Sequence, residues 1–101
     1  MPVMIDNGEN TVTARLSGEI DHHNAFELRH GIDRAIEEHQ PESIILDFGN
    51  VTFMDSSGIG LVMGRHKAVS AYGGKVTVTN TPAQIIKVMR LAGLDRLAEI
   101  S

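Results

Sequence analysis

Val51-Thr52-Phe53-Met54-Asp55-Ser56-Ser57-Gly58-Ile59-Gly60 changes character in its middle: a short apolar run meets an acid, two serines and a glycine, and a helical pattern follows. Downstream, Ile59, Val62, Met63, His66 and Val69 fall on one stripe at helical spacing. Asp55-Ser56-Ser57-Gly58 therefore reads as a strand-to-helix junction. Upstream, Ser43-Ile44-Ile45-Leu46-Asp47-Phe48 is almost continuously apolar, which predicts a short strand covered on both faces and closed by Gly49-Asn50.

The same alternation continues outward in both directions. Toward the N-terminus, Val12, Ala14 and Leu16 alternate with Thr11, Thr13 and Arg15, the period of a strand with one buried face. Asn7-Gly8 is a turn signal, and residues 3–5 are expected to pair with that strand as an antiparallel hairpin. From about Asn24 the spacing becomes helical, with Ala25, Leu28, Ile32, Ala35 and Ile36 inward and Glu27, Arg29, Asp33, Arg34, Glu37 and Glu38 outward, until Pro41. Toward the C-terminus, Gly73-Gly74 is a helix cap or turn, and Lys75-Val76-Thr77-Val78-Thr79 alternates as a strand. Thr81, Pro82 and Gln84 have the spacing of a capping box with proline at the first helical position. Ile85, Val88, Met89 and Ala92 follow at helical spacing, and Gly93-Leu94 predicts a Schellman-type stop. Strands alternating with helices across short connections predict a single α/β domain over residues 1–101, with a mixed, mostly parallel central sheet and packed helices.

Composition narrows the function. A chain of 101 residues holds one core and excludes a multi-domain enzyme. Nine basic against thirteen acidic side chains give a net charge of -4, with no basic cluster denser than Arg65-His66-Lys67, so a nucleic-acid partner is not expected. Four aromatic residues leave little to stack bases on. The absence of cysteine excludes disulfides, a thiol nucleophile and thiolate metal sites, and is compatible with the cytoplasm. Residues 1–6 lack the basic and apolar regions of a secretory signal, and no apolar run approaches the roughly 20 residues of a membrane helix. A cytoplasmic protein without membrane contact is the expectation.

Catalytic motifs fall away one by one. Gly58-Ile59-Gly60 would need a third glycine at position 63 to form a dinucleotide fingerprint, and Met63 stands there; no Gly-Lys-Ser/Thr of a phosphate loop is present. Ser56 and Ser57 lack the Gly-x-Ser-x-Gly frame of a hydrolase elbow, although His22 or His23 with Asp21 or Asp55 leaves a small serine hydrolase as an alternative. His22-His23 are adjacent rather than one helical turn apart, so no metal site is expected.

Two constellations remain. Asp55-Ser56-Ser57-Gly58 is explained by capping alone, since Asp and Ser side chains accept the orphan N–H bonds of a helix start. A serine there is also well placed to carry a phosphate, favoured by the same unpaired N–H groups and partial positive charge. Phosphorylation would add about -1.5 to -2 charges. No Lys or Arg follows until Arg65, so the added charge is expected to act by repelling a docking partner. Asp21-His22-His23-Asn24 has its own capping reading, with Asp21 or Asn24 as cap and Glu27 completing a box. If the strands before both segments are neighbours, Asp21 and the serines share one acidic rim.

Leu16-Ser17-Gly18-Glu19-Ile20-Asp21-His22-His23, Phe53-Met54-Asp55-Ser56-Ser57-Gly58-Ile59-Gly60, Gly64-Arg65 and Gly73-Gly74, in that order and spacing, resemble the STAS-domain anti-sigma factor antagonists. The resemblance covers nearly the whole chain. It implies the STAS fold and a non-enzymatic switch in transcription control of the sporulation kind. The unphosphorylated protein would bind an anti-sigma factor, which is also an ATP-dependent serine kinase, and displace its sigma factor. Phosphorylation would release the antagonist, and a serine phosphatase would reset it. ATP is then used by the partner, and no cofactor is held by this chain. By the same resemblance Ser57 is the acceptor, flanked by Ser56 and Asp55, with Asp21 an acid near it; Asp21 and Asp55 are then expected to position its hydroxyl, and Gly58 and Gly60 to admit the partner. A STAS regulatory or ligand-binding module of a transporter or stress-sensing assembly is the other reading.

Overall fold

Burial along the second strand follows the expected period of two: Val12, Ala14 and Leu16 are buried while Arg15 between them is exposed. The computed structural model describes residues 3–101. β1 (Val3–Asn7) and β2 (Thr11–Ile20) form the predicted antiparallel hairpin. Its turn is closed by the Gly8 N–H donating to the Thr11 carbonyl at 2.7 Å, with Asn10 in the left-handed region at φ 62°. Then follow α1 (Ala25–His39), β3 (Ser43–Met54), α2 (Ser56–Ser70), β4 (Lys75–Thr79), α3 (Ala83–Leu91), a 3-10 turn (Leu94–Arg96) and β5 (Glu99–Ile100).

The strands lie in sequence order, β1-β2-β3-β4-β5, and every pair after the first is parallel. Parallel neighbours carry their C-terminal ends on the same side, so the loops leaving β2 and β3 emerge together. α1 packs on β1 and β2, α2 on β3 and β4, and the two helices touch each other. One core runs beneath them, built from Leu16, Ile20, Leu28, Ile32, Leu46 and Phe48 among others. Burying each such side chain contributes about 1.5–3 kcal/mol before the entropy of ordering it.

Four local expectations need correction. Residues 43–48 and 51–54 are one strand, not two, because Gly49-Asn50 is absorbed where the pairing of β2 with β3 slips: Arg15 opposes Asp47 but Ser17 opposes Asn50. The Gly49 N–H, displaced from the ladder, donates to Asp47 Oδ1 at 2.8 Å. Nor is β3 covered on both faces. Ile44, Leu46 and Phe48 are buried, whereas Ile45 and Asp47 are half-buried on a polar face where Arg15 pairs with Asp6 of β1.

α2 is rotated relative to the predicted stripe. Its buried side is Gly58, Leu61, Val62, Arg65 and Val69, and Met63 is left 46% exposed. Apolar side chains surround the first two turns of this helix, so periodicity could not choose the inward face; packing against β3, β4 and α1 did. At α3, Pro82 rather than Thr81 is the cap residue, and the Thr81 hydroxyl makes no capping bond. Residues before proline are held extended. The Thr81 N–H instead donates to the Ser101 carbonyl at 3.0 Å, and its hydroxyl is buried without a partner.

Candidate functional site

The slip between β2 and β3 leaves their ends level, with Ile20 opposite Met54, and the Asp55 N–H donates to the Ile20 carbonyl at 3.1 Å. Asp21 and Asp55 therefore begin adjacent loops, which satisfies the condition for a shared rim. Each aspartate does the same local work. Asp55 Oδ1 accepts the Ser57 N–H at 2.7 Å and caps α2. Asp21 Oδ1 accepts the N–H groups of His23 at 3.0 Å and Asn24 at 2.9 Å, closing the turn before α1. Those bonds, the Asn24 one foremost, with His23 and His22 nearby, hold the Asp21 carboxyl below the usual carboxylate range. Asn24, the alternative cap, makes no capping bond and donates its side-chain amide to the Glu19 carbonyl at 3.1 Å.

The two serines are not equivalent. Ser56 is exposed, while Ser57 is half-buried and lines a cavity of about 350 Å³ between α1 and α2. His22, Phe26, Arg29, Gly60 and Leu61 line it with Ser57. Asp55 holds the backbone N–H of residue 57, so the Ser57 hydroxyl is not needed for the cap. Gly60 opens onto the cavity, and a Cβ there would meet nothing within 4 Å. Gly58 differs from expectation. It is buried, and a Cβ on it would collide with Met54 Cγ and Sδ, so its lack of a side chain serves the seating of the strand end beneath the helix. Asp21 gives its oxygen to its own turn, so it neither bonds Ser57 nor orients His22 as a hydrolase triad would need.

Sequence reading missed Phe26 and Arg29. Arg29 is expected on the outer face of α1 and Phe26 has no expected role; both are exposed, but that face borders the serine loop. The signal was present: His22, Phe26 and Arg29 recur at spacings of four and three, and Phe26 is an aromatic residue on an otherwise polar face. It remains 65% exposed, with the Arg29 guanidinium 5.3 Å from its ring centre. The rim is thus acidic at Asp21 and Asp55 but has a cation inside it. Below the cavity, Arg65 of α2 pairs with Asp33 of α1 at 2.9 Å, and burial pulls its guanidinium below the usual arginine value. No cluster of three or more metal-ligating side chains gathers among the described residues, and none of their helices is long and apolar enough to cross a membrane.

A five-stranded mixed sheet with helices over it and a serine at the start of its second helix defines a small α/β domain. Residues 3–101 match the STAS domain, and the chain belongs to that family. It is 33% identical over 100 residues to the anti-sigma F factor antagonist of Paenibacillus polymyxa, covering 99% of this chain and 86% of that one. It is 39% identical over 84 residues to the anti-sigma F factor antagonist of Lysinibacillus sphaericus, covering 83% and 72%. Among solved structures it is similar to the anti-sigma factor antagonist SpoIIAA in its unphosphorylated form, at 34% identity and TM-score 0.84, over 98% of this chain and 87% of that one. The phosphorylated form of SpoIIAA, a Bacillus cell fate determinant, gives 34% identity and TM-score 0.77 over 98% and 90%. These relatives are regulators rather than catalysts.

Proposed function

We propose that this chain is an anti-sigma factor antagonist, that its rim at Asp21, Asp55, Ser56, Ser57 and Gly60 docks an anti-sigma factor, and that phosphorylation of Ser57 switches docking off. The reading is carried by one observation: of two adjacent serines, only Ser57 lines the cavity at the helix start. The existence of SpoIIAA in both phosphorylation states supports it. The modifying enzyme is the anti-sigma factor itself, a serine kinase that supplies ATP, so this chain uses no cofactor. Ser57 Oγ forms a bond to the γ-phosphorus, the bond from that phosphorus to ADP breaks, and the hydroxyl proton passes to a base of the kinase. A serine phosphatase returns the hydroxyl. The cycle runs in the cytoplasm, in control of a sporulation-type sigma factor.

The asymmetry of the switch is electrostatic. The hydroxyl is neutral between two carboxylates; the phosphate makes this edge strongly anionic, which a partner shaped to accept the neutral form meets with repulsion and a desolvation cost. Incubation with ATP and the anti-sigma factor, followed by intact-mass and fragment analysis, should give one added phosphate at Ser57. Ser57→Ala should bind without release, and Ser57→Asp should bind at least about 100-fold more weakly, equivalent to about 2.7 kcal/mol. Phosphate at Ser56, or none, overturns the assignment.

A further inference from the structure

We propose that phosphoserine 57 is held within the chain by Arg29, whose guanidinium closes on the phosphate across the cavity between α1 and α2. The inference rests on Ser57 being the acceptor and adds where the phosphate goes. Two features lead to it. Ser57 and Arg29 line the same cavity from opposite helices, together with His22 and Gly60, and the volume of about 350 Å³ holds a phosphoryl group with its water. Arg29 also lacks a carboxylate among the described residues. Its natural partner on α1 is Asp33, one helical turn on, but Asp33 is taken by the buried Arg65 of α2 at 2.9 Å. Arg29 is left resting at 5.3 Å from the Phe26 ring, an interaction weak enough at an exposed site to yield to a dianion.

This arrangement changes what modification does. A phosphate without a partner would act on a docking protein by charge alone. A phosphate paired with Arg29 also fills the cavity from inside and removes the guanidinium and the Phe26 edge from any partner that uses them. Arg65 is then a positioning residue, acting through Asp33 to keep Arg29 unpaired. The titratable and charged groups lining that cavity are His22 from the loop after β2 and Arg29 from α1, with Asp55 two residues before Ser57 at the cap of α2 and Asp21 at the start of the neighbouring loop.

The test encodes phosphoserine genetically at position 57 of the full chain, so that no kinase is required, and follows its second ionisation by phosphorus NMR. With Arg29 in place the phosphate should titrate about one unit lower than in Arg29→Gln, and Arg29→Lys should restore part of the shift. The Arg29 Nε–H resonance should move on phosphorylation of the otherwise unchanged chain. Identical titrations for the native chain and Arg29→Gln, with an unmoved Nε–H, overturn the clamp. Because the phosphate is encoded, that result leaves the switch reading standing; failure of the kinase to modify Ser57 removes the switch reading by the separate mass measurement.

Discussion

The loops that follow β2 and β3 begin alike and end differently. Each opens on an aspartate that lends a side-chain oxygen to backbone N–H groups, Asp21 to His23 and Asn24, Asp55 to Ser57. In the first loop that interaction completes the structure: the turn is closed, and Asn24 is drawn back to Glu19. In the second, Asp55 satisfies the backbone of residue 57 and leaves its hydroxyl over a cavity. Capping chemistry is common to both, so capping does not mark the functional loop. What marks it is a polar group the cap does not use, seated where another helix brings a cation.

The sharpest way to break this comparison is at the two glycines in the first turns of α2, just after the second loop. Gly58→Ala must displace Met54 and should lower stability by about 1–3 kcal/mol in urea unfolding. Gly60→Ala meets no atom and should be neutral or stabilising by up to about 1 kcal/mol, so any change it makes in partner binding is a change at the surface. Equal losses at both positions would contradict the division of roles. Asp55→Ala removes a cap and should cost about 1 kcal/mol in the same measurement.

The third helix extends the test to a junction where the cap was misread. A Thr81 that capped α3 would lose stability on conversion to valine; a Thr81 with a buried, unpartnered hydroxyl should instead gain up to about 1 kcal/mol in Thr81→Val. The smallest effect is at Asp21. Its folded-state carboxyl is more acidic than in the unfolded chain, so its contribution is complete above about pH 4 and disappears as pH falls through the depressed value. Asp21→Asn should therefore be less stable than the native chain near neutrality, and the two should converge on acidification; a gap that persists in acid would contradict the Asp21 turn.

Much of the fold was legible because it depends on periodicity. β2, β4 and α1 carry clean periods and appeared where expected, as did the hairpin at Asn7-Gly8 and the left-handed stop at Gly93. Misreadings fell where local signals were degenerate. Gly49-Asn50 has turn composition yet lies within a bulged strand, because pairing with β2 resumes beyond the slip, Ser17 opposite Asn50 and Gly18 opposite Val51, and holds the backbone extended through β3. α2 has apolar side chains on several sides, and packing against the sheet and α1 set which face turned inward, with Arg65 drawn to Asp33 of α1.

The sequence by itself determined the class of the domain, the junction at Asp55 and the membership of Ser57 in it, since strand and helix periods and cap preferences are properties of neighbouring residues. Tertiary structure alone decided that Ser57 and not Ser56 faces the cavity, that Gly58 serves the core and that Arg29 stands opposite the hydroxyl. The parallel register of β2 and β3 brings residue 29 to residue 57 across a gap in the chain of almost thirty positions. A local search for a basic residue near the serine could not see it, because proximity there is set by sheet pairing and helix packing rather than by distance along the chain.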